Sequence, residues 1–119
     1  MALISRLEPT GLVVTRATGV LTASDLTEKQ AHPTPELLDL REIEDFAVTA
    51  EGIRELAEHA ASRAEQLAPG RLAVLVASDT VFGMFRMLQA LLDGTGIEIR
   101  VFRDPAQAYA WLGSPSPEH

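Results

Sequence analysis

Residues 72–77, Leu-Ala-Val-Leu-Val-Ala, form a run without a single polar side chain. A strand with one face in water alternates apolar and polar residues, so an unbroken run needs cover on both faces. Six residues after Pro69-Gly70 are too few for a buried helix. The run therefore predicts a central strand in a sheet with helices on both sides, which is the α/β class.

The flanking segments fit that class. Residues 4–8 and 12–18 read as two strands around a Pro9-Thr10-Gly11 turn, which predicts an antiparallel hairpin. Thr22-Ala23-Ser24-Asp25 resembles a capping box with Asp in place of Glu, opening a short helix that Pro33 must end. Residues 37–40 are a short apolar run and a candidate buried strand, followed by a loop up to Thr49. Thr49 caps a long helix whose apolar residues, Ile53, Leu56, Ala57, Ala60, Ala64 and Leu67, share one face; Pro69-Gly70 end it. A helix over 79–93 closes at Gly94-Thr95-Gly96, and residues 97–102 read as a strand. Asp104-Pro105-Ala106-Gln107 combine a capping acid, a proline at the first helical position and a reaching Gln; Gly113 stops that last helix. The predicted order is ββαβαβαβα, a mixed five-stranded sheet flanked by helices. Residues 1–113 form one domain and 114–119, rich in Ser and Pro, a disordered tail.

Charge and composition narrow the function classes. Ten basic against seventeen acidic residues leave a net charge of −7, which argues against nucleic acid or an anionic membrane as partner. The excess concentrates between Glu36 and Glu58, where eight acids face Arg41 and Arg54. That stretch is either a solvated face or a docking surface for a basic protein. With no cysteine there is no disulfide scaffold, thiolate zinc site or thiol nucleophile. No apolar run approaches the ~20 residues that span a bilayer, and the first ten residues lack a signal-peptide core, so the expectation is a soluble, cytoplasmic chain without membrane insertion.

Catalytic constellations are hard to assemble from what remains. His59 follows Glu55 by four residues, a spacing able to share a metal, but no motif supplies a third ligand beside His32 or His119. No G-x-S-x-G turn places a serine beside a histidine, and Gly94-Thr95-Gly96 follow a helix rather than open one, the wrong order for a phosphate loop. The expectation is a non-enzyme without cofactor or metal. Thr49 stands where a helix N-terminus would stabilise a phosphate, and it is also an ordinary cap.

The helix over 79–93 is apolar on more than one face: Val81, Phe82, Met84, Phe85, Met87, Leu88, Leu91 and Leu92. Such a helix is either deeply buried or covers a ligand or partner. Phe82, Phe85 and Leu92 make one stripe, predicted to face inward; Met84, Met87 and Leu91 make another, predicted to face a second copy in a homodimer. Arg86 stands almost alone among them, and its guanidinium either snorkels to the helix edge or clamps an anion.

Three stretches carry a family likeness: LLDLREIEDFAVTAEGIRELAE, RLAVLVASDTVFGMFRML and IEIRVFRDPAQAYAWL, the last two with A-S-D-x-V-F-G-M-x-R-M at 77–87 and V-F-R-D-x-x-x-A-x-x-W-L at 101–112. Together they resemble the STAS-type, SpoIIAA-like domains of bacteria, over residues 3–112. The resemblance implies the fold shared by anti-sigma-factor antagonists and CRAL-TRIO-like lipid-binding proteins. In antagonists the loop after the third strand carries a phosphorylated serine in an Asp-Ser-Ser-Gly-like motif. Here that loop reads Phe46-Ala47-Val48-Thr49-Ala50, without the serines or the glycine, and Thr49 is its hydroxyl. The surrounding acids would oppose an added phosphate. The expected function is a non-enzymatic regulatory or protein-interaction module. The alternative is a module for a small apolar molecule or lipid, held in a groove under the apolar helix.

Overall fold

Turn chemistry starts the chain as a hairpin. The computed structural model describes residues 2–28, 35–67 and 71–113. β1 (Ala2–Leu7) and β2 (Val13–Thr22) pair antiparallel, from Ala2 opposite Thr18 to Leu7 opposite Val13. Gly11 takes φ 91°, the left-handed region that a side chain disfavours, and its N–H donates to the Glu8 carbonyl at 3.0 Å. Thr22 and Asp25 then cap each other. The Thr22 N–H donates to the Asp25 carboxylate at 2.9 Å, and the Asp25 N–H to the Thr22 hydroxyl at 3.2 Å, opening α1 (Ala23–Glu28). Pro33, expected to end that helix, lies outside the described residues, as do Pro69-Gly70 and the tail 114–119.

β3 (Glu36–Asp39), β5 (Arg71–Leu75) and β6 (Glu98–Phe102) continue the sheet in parallel, in the order β1-β2-β3-β5-β6. The apolar run 72–77 supplies β5, between two neighbours, with Ala73, Val74 and Leu75 fully buried. Among the described residues the sheet has six strands rather than five. The stretch expected as a loop contains β4 (Ile43–Ala47), which pairs parallel with the far half of β2, Gly19 to Thr22. β3 holds Val13 to Arg16 and β4 takes over beyond Gly19, where the register shifts and Gly19 has φ 77°.

The helix from Thr49 is also shorter than its periodicity predicts. α2 (Ala50–Ala61) stops in a turn where the Ser62 hydroxyl donates to the His59 carbonyl at 2.7 Å; the short α3 (Ala64–Leu67) follows. α4 (Asp79–Leu91) starts at a Ser78 cap, and α5 (Pro105–Leu112) runs between the Asp104 cap and a left-handed Gly113. Gln107, the expected reciprocal partner of Asp104, makes no hydrogen bond to it. The observed order is ββαββααβαβα.

Strand alternation sends buried residues to two cores. Ala17, Leu21, Leu38, Val74, Ile99 and Val101 meet Ile53 and Leu56 of α2 and Val81, Phe85 and Leu88 of α4. On the opposite face Val14, Leu37, Ala73, Leu75 and Phe102 meet Ala108, Tyr109 and Leu112 of α5. The buried stripe of α4 is Val81, Phe85 and Leu88, continued by Leu92 at its cap. Phe82, expected inward, is only half-buried. Met84 and Met87, expected outward, pack half-buried against the larger core, and Leu91 alone of that stripe is exposed, at 46%.

Candidate functional site

Helices laid across one face of a sheet meet it through side chains, and where these are short a gap remains. The second half of α2 and the second half of α4 border such a gap. A cleft of ≈150 Å³ lies between Leu56 and Ala60 of α2, Phe85, Leu88 and Leu92 of α4, Leu26 of α1, and Leu38, Leu72 and Ile99 on the sheet. Its strand residues are the first ones of β3, β5 and β6, so it opens at the amino ends of the parallel strands. Open α/β sheets commonly bind ligands at the opposite, carboxyl end.

The rim is polar. Glu36, 4% exposed, accepts from the Thr15 hydroxyl at 2.8 Å, and Thr15 shares a 2.7 Å hydrogen bond with Ser5. Arg71 pairs with Glu98 at 2.8 Å, donates to the Trp111 carbonyl at 3.0 Å and lies over the Trp111 ring. His59 and Arg63 complete the border from the end of α2.

A second cleft, open and ≈350 Å³, runs along the outer edge of β6. Arg86 and Phe82 come from α4, Arg100, Val101 and Phe102 from β6, Arg103 from the loop after it and Gln107 from α5. Arg103 sits over the Phe82 ring at 4.6 Å and pairs with Asp79. Arg100 sits over the Phe102 ring at 5.8 Å.

Among the described residues, the most buried ion-pair group lies elsewhere. Asp39 is 3% exposed and takes both Nε and Nη2 of Arg41 at 3.1 and 3.0 Å, the Arg41 N–H at 3.1 Å, and Arg16 at 3.8 Å. Burial opposes its ionisation, but the Arg41 hydrogen bonds and the charges of Arg41 and Arg16 outweigh that and hold the carboxyl below its ordinary range.

The residues singled out from sequence fall in three places. Thr49 caps α2, accepting the Gly52 N–H at 3.1 Å, and stands at the far end of that helix from the apolar cleft. Met84, Met87 and Leu91 line neither cleft; the apolar cleft uses the buried stripe Phe85, Leu88 and Leu92. Arg86 joins Arg100 and Arg103, residues not singled out although R-x-x-R at 100–103 was visible. Finding that trio needed the packing of α4 beside β6, which a right-handed β5–α4–β6 crossover implies. His59 is exposed on the cleft rim; His32 and His119 lie outside the described residues. Among the described residues, no three His, Asp or Glu side chains gather as metal ligands would, and no helix is long and apolar enough to cross a membrane.

No family profile matches the chain, and no curated protein does. Among solved structures it is similar to an uncharacterized protein of the DUF3478 family with a SpoIIAA-like fold from Shewanella loihica PV-4. The two share 16% identity and a TM-score of 0.57 over 93% of this chain and 92% of that one. The chain has a SpoIIAA-like fold.

Proposed function

We propose that this chain is a non-catalytic binding module whose α2/α4 cleft takes a small apolar molecule. The observation that carries the reading is the ≈150 Å³ space walled by Leu, Ile and Phe side chains from six elements. An apolar space of that size gives water too few hydrogen-bond partners and accepts a small apolar guest. The polar rim, with Arg71 tied to Glu98, leaves only the outer end of a guest in contact with charge. A SpoIIAA-like fold supports a regulatory or binding role, with the guest modulating surfaces built on the two helices that border it.

Titration with indole, followed by methyl NMR, tests this. Shifts confined to Leu56, Leu88 and Ile99, with a raised melting temperature, are the expected result. Uniform or absent shifts would overturn it.

A second reading is the homodimer through Met84, Met87 and Leu91, favoured by the 46% exposure of Leu91 beside two half-buried methionines. A charge there would appear twice near the symmetry axis, so Met87→Glu should separate the subunits. Light scattering that returns a 12.9 kDa monomer at high concentration sinks it.

A further inference from the structure

The protein carries a net charge of −7, yet Arg86, Arg100 and Arg103 converge on one cleft at the free edge of β6. Nearby carboxylates are already engaged: Asp79 with Arg103, Glu98 with Arg71, and Asp104 with the Ala106 N–H. Among the described residues, that leaves Arg86 and Arg100 without an ion pair, two guanidiniums lining one opening. Arg100 lies against the Phe102 ring, and Arg86 rises from the middle of α4.

The backbone adds a donor. The Phe102 carbonyl accepts from the Val76 N–H at 2.9 Å, so Phe102 and Arg100 turn their backbone polar groups toward β5. Peptide groups alternate along a strand, and Val101 therefore turns its N–H to the open edge, into the cleft it lines. The Gln107 amide faces the same space from α5.

The geometry points to a binding site for a phosphate monoester with a flat apolar body. A phosphate dianion matches the two free guanidiniums in charge, and its oxygens match their forked N–H groups. At ≈350 Å³ the cleft exceeds what inorganic phosphate fills, and the faces of the guanidiniums and the Phe82 ring suit a flat group beside it. This site is separate from the apolar cleft between α2 and α4, which shares no lining residue with it.

NMR titration with 1-naphthyl phosphate, inorganic phosphate and 1-naphthol tests the assignment. The ester should shift the side-chain N–H signals of Arg86, Arg100 and Gln107, and bind more weakly as salt rises from about 0.01 to about 0.15 M. Arg86→Gln with Arg100→Gln should weaken it about tenfold or more, while Arg54→Gln, on α2 and paired with Glu51, should not. The exchanged arginines are exposed, and unchanged melting curves would show that the variants fold. Equal ester binding by the double variant overturns the proposal, as do shifts at Leu88 and Ile99 in place of the arginines. Inorganic phosphate binding as tightly as the ester overturns the apolar body, and 1-naphthol binding as tightly overturns the anion.

Discussion

The two faces of the sheet are covered in different ways. One carries α1, α2 and α4 over the larger core and still encloses a cleft. Among the described residues the other carries the eight residues of α5, yet Ala73 and Ala108 lie in one cluster there with no exposed surface, and Trp111 closes the edge against Phe102 at 5.8 Å. More helix is not closer packing. The alanines of α5 sit in a packed cluster against the strands, whereas between α2 and α4, with the short Ala60 on the wall, the side chains leave a gap. Each face also holds a buried acid. Glu36, on the cleft side, takes a hydroxyl; Asp39, which by alternation shares the side of Leu37, takes arginine.

The largest expected effect falls on the thicker face. Phe85 is 2% exposed, touches Phe46 at a ring distance of 5.7 Å and walls the cleft. Phe85→Ala should cost about 3–5 kcal/mol in urea unfolding. A loss near 1 kcal/mol would mean that the larger core is loosely packed throughout, and the contrast with the α5 face would then be one of density rather than of a local gap.

Asp39→Asn tests the polar anchor of the other face, with an expected loss of about 1.5–3 kcal/mol at neutral pH from its charged hydrogen bonds. The pH dependence follows from the depressed carboxyl. Because the folded form holds its proton less tightly than the unfolded one, the contribution is complete above the unfolded value of about 4 and is lost as pH falls through the lower folded value. Acid unfolding of the Asn variant should show a shallower loss below about pH 4. An unchanged acid limb would remove Asp39 as its source.

A matched pair of enlargements sharpens the packing difference directly. Ala108→Leu should destabilise by about 1–3 kcal/mol, since Ala108 has no exposed surface and sits in the packed α5 cluster. Ala60→Leu adds the same carbons at the cleft wall and should change stability by less than about 1 kcal/mol while abolishing indole binding. Equal penalties would mean that the cleft cannot take even a side chain. Smallest is Thr49→Ala, about 1 kcal/mol through the lost Gly52 contact, read from thermal melts. Unchanged stability with altered partner binding would instead favour a regulatory role for the hydroxyl.

Local chemistry written in consecutive residues was readable before any coordinates: the Pro9-Thr10-Gly11 turn, the Thr22–Asp25 cap, the Asp104 and Gly113 helix ends and the doubly covered β5 all lie where the sequence places them. What escaped depended on distant partners. β4 reads IEDFA, with two acids in five residues, and is a strand because the far half of β2 offers it hydrogen bonds. The turn at Ser62 was hidden by alanines that continue the helical spacing through Ala64. The phase of α4 was ambiguous because residues 81, 82, 84, 85, 87 and 88 are all apolar, and only the packed helix selects Val81, Phe85 and Leu88. Both clefts are assembled from side chains on at least three elements, so no single window could announce them.

The pairings of the sheet differ in how far the chain must loop to make them. Leu7 meets Val13 across one short turn, whereas Glu36 reaches Leu72 only after two further helices and a strand. Loop closure costs entropy that rises with loop length, so the hairpin is the expected nucleus, with β5 and β6 expected to join it later. Val14→Ala should then slow refolding, while Val101→Ala should mainly hasten unfolding in a chevron analysis; the reverse pattern would place the nucleus at the far edge. On that order of events the edge carrying the arginines is the last part of the sheet to form and the first to open.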